Sequence, residues 1–272
     1  MLKYFNIESI KIACWINSSD FDKKKQSLIL IHGSGSDHGA WSYQYARLHK
    51  HYNILAIDLP GHGRSGGSGE ADVEDYCLWV KKLLDIIDLK DVVLVGHSLG
   101  AAIALRFALN YPQEIAGIVL VGCGMKMPVN HFILEFLKTN PAEIPAEIID
   151  LICKFSLAKE NRFKFSATLR KSISQSKVDI LYGDLSACNN LDLTQEICKI
   201  KVPSLVICGA EDKMTPLDFP RQLAASISGA TLEIIEGAGH MVMLERPAEF
   251  NMTLTKFAES ISVAVSPEKA KQ

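Results

Sequence analysis

The sequence predicts an α/β protein whose mostly parallel, twisted sheet is flanked by helices and interrupted by an inserted helical cap. Three observations carry that expectation. Short, uninterrupted apolar runs recur along the chain, as they do when both faces of a parallel sheet are covered. Amphipathic helical patterns fall between these runs, which calls for right-handed crossovers in an open sheet. One gap of about 70 residues between two such runs holds helical patches and no convincing strand, too long for a plain loop.

Taken in order, residues 3–16 read as a hairpin, with Ile10, Ile12, Cys14 and Ile16 alternating along its second arm. Strand runs follow at 27–31, 53–57, 92–95, 118–121, 204–208 and 231–235. Helical patterns lie at 41–49, 74–89, 99–110 (closed by Tyr111 and Pro112), 218–228 and 246–264. The interruption at 125–194 holds helical patches at 131–138, 146–156, 162–174 and 177–185, with Pro141 and Pro145 breaking the first pair. The expected division is therefore a core of 1–124 and 195–265, a cap of 125–194, and a charged, frayed tail at 266–272. The cap leaves and re-enters the sheet at the carboxyl ends of strands, so it should overhang the edge where open α/β sheets bind ligands. Its apolar residues (Phe132, Ile133, Phe136, Leu137, Ile148, Ile149, Ile152, Phe155) should pack the cap's own core, a few of them lining a pocket.

Composition narrows the class. A chain of 272 residues with 48% hydrophobic and 22% charged residues is ordinary for a soluble globular protein with a large core. A formal charge of −2 and a pI near 6.4 give no reason to expect nucleic acid or an anionic membrane as partner. The first eight residues lack the apolar core of a signal peptide, and no stretch of about 18 apolar residues is present to span a bilayer. The seven cysteines form no C-x-x-C pair, and the ten-residue gaps between Cys188, Cys198 and Cys208 match no usual ligand spacing. They read as ordinary thiols in a reducing compartment, so the expected location is cytoplasmic.

The chemistry is concentrated at Gly96-His97-Ser98-Leu99-Gly100, which follows the apolar run Asp91-Val92-Val93-Leu94-Val95 and precedes a helix rich in small residues. A strand, a sharp turn and a helix in that order hold the Ser98 hydroxyl above the sheet edge, where a base can reach it. Side chains at 96 and 100 would collide where strand and helix pass.

Four motifs, in this order and spacing, make the chain resemble the α/β-hydrolase superfamily, in the esterase-like group with a small helical cap. They are Ile31-His32-Gly33-Ser34-Gly35; Asp58-Leu59-Pro60-Gly61-His62-Gly63-Arg64-Ser65; the turn at Ser98, the nucleophile elbow of that family; and Gly209-Ala210-Glu211-Asp212 followed by Gly237-Ala238-Gly239-His240. The resemblance spans residues 3 to about 260 and is weakest in the cap.

A serine hydroxyl is a poor nucleophile at neutral pH and needs a base oriented by a carboxylate. The base should lie in a loop after a late strand, as His240 does after Leu232–Glu236, and the acid after the preceding strand, where Asp212 ends the run from Leu205. The order Ser98, Asp212, His240 is the family's. Glu211 competes as the acid, but the family pattern uses the second position. Some relatives carry the acid after the preceding core strand, where this chain reads Gly122-Cys123-Gly124-Met125, with no carboxylate. Acyl transfer also needs donors for the developing oxyanion. These should be the backbone N–H groups of Leu99, at the start of its helix, and Ser34, after His32-Gly33. Gly33, Gly35, Met125 and Met241 are the expected pocket residues. His97 should leave the elbow in another direction and serve packing. His32 should support loop shape, while His38, His49, His51 and His62 should face solvent or neighbouring loops. The resemblance implies that Asp58 and Arg64 tie loops together beneath the site. No metal site and no cofactor are expected.

Within the superfamily, haloalkane dehalogenases and epoxide hydrolases carry a carboxylate at the elbow, which Ser98 replaces. Ring-cleavage-product hydrolases usually have a Gly-Pro-Gly-Ala type loop, where this chain has Gly33-Ser34-Gly35-Ser36-Asp37. The resemblance therefore implies a serine ester hydrolase acting on a small-molecule ester with a small to medium apolar acyl chain. Hydrolysis of a lactone, a thioester or the C–C bond of a β-diketone, cofactor-free perhydrolase or haloperoxidase activity, and a ligand-binding protein on the same scaffold stay open.

Overall fold

The computed structural model describes residues 1–18, 21–22, 24–140 and 142–265; the expected tail at 266–272 and Pro141 lie outside them. Eight strands form one sheet: β1 (Leu2–Ile7), β2 (Ile10–Ile16), β3 (Ser27–Ile31), β4 (Asn53–Ile57), β5 (Val92–His97), β6 (Ile115–Val121), β7 (Ser204–Gly209) and β8 (Thr231–Ile235). Their spatial order is β1-β2-β4-β3-β5-β6-β7-β8. The β1–β2 and β2–β4 pairs are antiparallel and every other pair is parallel. The helices are α1 (Ser42–Leu48), α2 (Val73–Ile87), α3 (Leu99–Asn110), α4 (His131–Thr139), α5 (Ala146–Ser156), α6 (Arg162–Gln175), α7 (Val178–Asn190), α8 (Asp218–Ser226), α9 (Val242–Glu245) and α10 (Pro247–Val265).

The uninterrupted apolar runs are strands because both sides of the sheet are covered. Ile29, Ile31, Leu55, Ile57, Leu94 and Leu120 pack with Tyr76, Val80 and Leu84 of α2 and Phe107 of α3. Their sequence neighbours Leu28, Leu30, Ile54, Ala56, Val93 and Val95 face the other way, onto Trp41, Phe250 and Leu254. The period of two sorts adjacent residues into separate cores. Helices α4 to α7 fall between β6 and β7, and their buried Ile148, Leu169 and Leu181 join the second core.

Several boundaries differ from the sequence reading. The hairpin turn is Glu8-Ser9, both at positive φ (48° and 70°), a two-residue geometry that usually announces itself with Asn or Gly. β6 starts at Ile115 rather than 118, and α7 runs to Asn190 rather than 185. The segment before the last helix forms the separate short α9, and α10 opens with Pro247, whose missing N–H costs nothing there. All seven cysteines are free, and Cys198 is exposed while the others are buried. Among the described residues, no helix is long and apolar enough to cross a membrane.

Candidate active site

β5 carries Ser98 to the carboxyl edge of the sheet. Its backbone sits at φ 53°, ψ −116°, a conformation that costs a non-glycine residue about 1–3 kcal/mol. The surroundings enforce it. The Ser98 N–H donates to the Val121 carbonyl at 2.8 Å, and the Ser98 carbonyl accepts from Ala101 and Ala102 as α3 begins. A Cβ on Gly96 would overlap the Gly100 carbonyl, and one on Gly100 would overlap the Ile31 carbonyl. Strand, turn and helix can therefore close only with glycine at both places.

The loops after β7 and β8 bring Asp212 and His240 together. His240 Nδ1 lies 2.8 Å from Asp212 Oδ2. The same oxygen accepts from Thr215 Oγ1 at 2.7 Å, while Oδ1 accepts from the N–H groups of Met214 and Thr215. Burial pushes the Asp212 carboxyl up, but the His240 ring and the Thr215 bonds outweigh it and hold the group below its ordinary value. An ionised Asp212 fixes the tautomer with the proton on Nδ1, so the Nε2 lone pair of His240 is free for proton transfer. Glu211 does not share this site; its carboxylate lies 3.5 Å from the Lys159 N–H.

Ser98 and His240 line one cavity of about 290 Å³. Among the described residues the two make no hydrogen bond, as is common in unliganded sites whose contacts tighten around substrate. The walls are mostly apolar and come largely from the cap, with Leu151, Ile152, Leu169, Ile173, Leu181 and Leu185 prominent among them. Gly33, Ser34, Gly35 and Met241 also face the cavity. Met125 does not. It packs against the first core, and Met127, a buried member of that same core, also lines the cavity. The chain at this point is joined to Asp192 by an isolated antiparallel bridge and an ion pair at Lys126. The backbone N–H groups of Ser34 and Leu99 have no acceptor in the protein among the described residues. Leu99 itself is fully buried, so only its backbone can serve.

The histidines divide by their hydrogen bonds. His97 does not leave the site: its ring lies 4.7 Å from that of His240, and its Nε2 donates to the His240 carbonyl at 3.0 Å. Burial and the neighbouring His240 push it down to about 3, so it is neutral. His32 pairs Nδ1 with the Gly33 carbonyl and accepts from the Leu59 N–H through Nε2; burial pushes it down to about 4. His38 Nδ1 bonds Asp58 at 2.7 Å. His62, expected to face solvent or neighbouring loops, is buried against helix α7, with Nε2 2.8 Å from Asp184 Oδ2. Helix α7 covers it, a contact between segments 122 residues apart that no local pattern announces.

Three contributors escaped the sequence reading. Thr215 fastens Asp212 from three residues away. Gly122 leaves room for the His240 ring, since a Cβ there would stand 2.9 Å from its Cε1 and Nδ1. Glu245 is a buried carboxylate that accepts from the Gly239 N–H, the Ala158 N–H and Asn161 Nδ2, all at 2.9 Å, tying the His240 loop to the cap. The only group of three metal-ligating side chains among the described residues is Asp37, His38 and Asp58. Asp58 Oδ1 already accepts from the His38 backbone and ring, and Oδ2 from the Arg64 N–H, so this cluster ties loops together.

The sequence profile described as "Alpha/beta hydrolase family" matches residues 28–253. The chain belongs to the alpha/beta hydrolase family. This alpha/beta hydrolase is 26% identical over 279 residues to a 2-hydroxy-6-oxononadienedioate/2-hydroxy-6-oxononatrienedioate hydrolase of Paraburkholderia phymatum, covering 94% of each chain. It is 26% identical over 260 residues to a monoacylglycerol lipase of Bos taurus, covering 87% of this chain and 76% of that protein. Among solved structures, a thermophilic esterase superposes with a TM-score of 0.81 at 32% identity, covering 96% of this chain and 99% of the other.

Proposed function

We propose that this alpha/beta hydrolase is a cytoplasmic serine hydrolase that cleaves carboxylic esters of small to medium apolar acyl chain through an acyl-enzyme, with no cofactor. The observation that carries the reading is that Ser98, in its strained turn, and the Asp212-oriented His240 face one apolar cavity. His240 Nε2 takes the Ser98 proton as Oγ attacks the ester carbonyl. The N–H groups of Ser34 and Leu99 receive the oxyanion, and the imidazolium, stabilised by Asp212, protonates the departing alcohol. Water activated by His240 then releases the acid and frees Ser98. A cavity of about 290 Å³ lies at the lower end of the usual range for small-molecule pockets, about 300–1,000 Å³, which favours compact acyl groups. The segment 125–194 serves as the specificity cap on a core of 1–124 and 195–265; its neck is closed by the Lys126–Asp192 bridge. Seven free thiols fit a reducing compartment.

The 26% identity to an oxononadienedioate hydrolase over nearly the whole chain supports a second reading, hydrolysis of another acyl bond, such as the C–C bond of a β-diketone. p-Nitrophenyl esters from acetyl to dodecanoyl, a lactone, an acyl thioester and a β-diketone should be assayed with wild type and Ser98→Ala. Ester turnover abolished in Ser98→Ala is the expected result. Ester turnover unchanged by the substitution overturns the Ser98 mechanism, and a strong preference for the diketone establishes the second reading.

A further inference from the structure

Asp184 projects from cap helix α7 and is fully buried. It accepts three hydrogen bonds from three other parts of the chain. Oδ2 accepts from the Gly35 N–H at 2.9 Å and from His62 Nε2 at 2.8 Å, and Oδ1 accepts from the Tyr76 hydroxyl at 2.6 Å. Gly35 directly follows Ser34. We infer that Asp184 is a positioning residue of the oxyanion loop, holding the backbone at Gly35, and with it the Ser34 N–H, through an anchor made of His62 and Tyr76. The inference rests on the ester-hydrolase reading, in which the Ser34 N–H receives the oxyanion.

The anchor is an ion pair by hydrogen-bond logic. Both ring nitrogens of His62 face acceptors: Nε2 the Asp184 carboxylate, Nδ1 the Pro60 carbonyl at 3.0 Å. Only the imidazolium donates from both. Burial is the largest single effect and pushes His62 down, but Asp184, the Pro60 carbonyl and Asp58 together outweigh it, and the net shift is upward. The ring is faced by Asp184 from α7, Tyr76 from α2, His32 from the loop after β3 at 4.9 Å between centroids, and Asp58 from the loop after β4. His32 shows the contrast: one of its nitrogens meets a donor and the other an acceptor, so the neutral ring satisfies both. Removing two charges from water is costly, and an apolar cluster would hold the cap at lower cost. What the charged carboxylate supplies beyond packing is a strong, directional acceptor for the Gly35 N–H.

The test compares wild type with Asp184→Ala, which removes the shared acceptor of the Gly35 N–H, the His62 ring and the Tyr76 hydroxyl. Three quantities are read: kcat and KM on a p-nitrophenyl ester; the affinity of phenylboronic acid, whose adduct on Ser98 places an oxygen at the oxyanion site; and hydrogen exchange of the 33–37 segment by mass spectrometry, which needs no turnover. Misplacement of a donor by about 1 Å is worth roughly 10²-fold. The expected result is a fall in kcat of about 10- to 100-fold with little change in KM, a parallel loss of boronate affinity, and faster exchange at Gly35. A variant that melts earlier yet keeps wild-type kcat, boronate affinity and Gly35 exchange overturns the inference. Should Asp184→Ala fail to fold, Tyr76→Phe removes one anchor bond and is expected to lower kcat less and still quicken Gly35 exchange; unchanged values for both overturn it. If the wild-type enzyme turns over no ester at all, the hydrolase reading fails on its own, and the Gly35 exchange rate alone decides whether Asp184 holds this loop.

Discussion

Gly122→Ala tests how tightly the base is seated. Gly122 follows β6 at φ 60°, and a Cβ there would stand 2.9 Å from both Cε1 and Nδ1 of His240. Two penalties add. Alanine in the left-handed region costs about 1–2 kcal/mol. Carbon atoms in contact prefer about 3.5–4.0 Å, so the imidazole must retreat by roughly 0.6–1 Å, stretching its bond to Asp212 and moving Nε2 relative to Ser98. A displacement near 1 Å is worth roughly 10² in rate, so kcat should fall about 10- to 100-fold. KM should change less, because the cavity walls come largely from the cap. The stability loss should lower the melting midpoint by about 2–8 °C for a chain of this size. Steady-state kinetics on a p-nitrophenyl ester with a parallel thermal melt measures both. Wild-type kcat in a correctly folded Gly122→Ala would refute the claim that this backbone locates His240.

Further outcomes are expected. His240→Ala should lose nearly as much kcat as Ser98→Ala, on the order of 10⁶, since such groups act as a unit; a loss under about tenfold in the same ester assay would remove His240 as the base. Glu245→Ala leaves the buried Ala158 and Gly239 N–H groups without an acceptor, at about 1–3 kcal/mol each, so urea unfolding should show at least about 2 kcal/mol of lost stability and kcat should drop through the Gly239–His240 loop. Met127→Ala should shift acyl-length preference toward longer chains, whereas Met125→Ala should cost stability and leave that preference unchanged; a chain-length series separates them. Stability should peak near pH 6.5. Below it, His97 and His32, held at about 3 and about 4 by burial, stay neutral while the unfolded rings take protons, removing about 1.4 kcal/mol each per pH unit. Above it, His62, raised by Asp184 against the opposing effect of burial, and His38, raised by its hydrogen bond to Asp58, lose protons that the folded state favours, and their contribution disappears as pH rises through their folded values. Urea unfolding at pH 5, 6.5 and 8 reads this directly, and a steady gain in stability toward acid would contradict it.

Much of this molecule is legible along the chain. The apolar runs at 27–31 and 53–57 coincide with β3 and β4, because a strand buried on both faces is apolar nearly throughout, and the run at 231–235 coincides with the half-exposed edge strand β8. The turn at Ser98 is equally plain, since its flanking glycines are demanded by backbone contacts a few residues apart. The order of Ser98, Asp212 and His240 could be read for the same reason: each sits just beyond the end of a strand, and strand ends are local events.

What remained hidden was every relation between distant segments. Nothing near Gly122 says that an imidazole will lie on it, and nothing near His62 or Gly35 says that a carboxylate from α7 will reach both. Met125 and Met127 look alike in sequence and both reach the first core, yet only Met127 also lines the cavity. Local sequence set most strands and the turn at Ser98, because short-range sterics and hydrophobic period act within a few residues. Tertiary structure alone decided how helices α4 to α7 seat on the sheet, where two buried carboxylates, Asp184 and Glu245, meet backbone donors from across the chain beside Gly35 and His240.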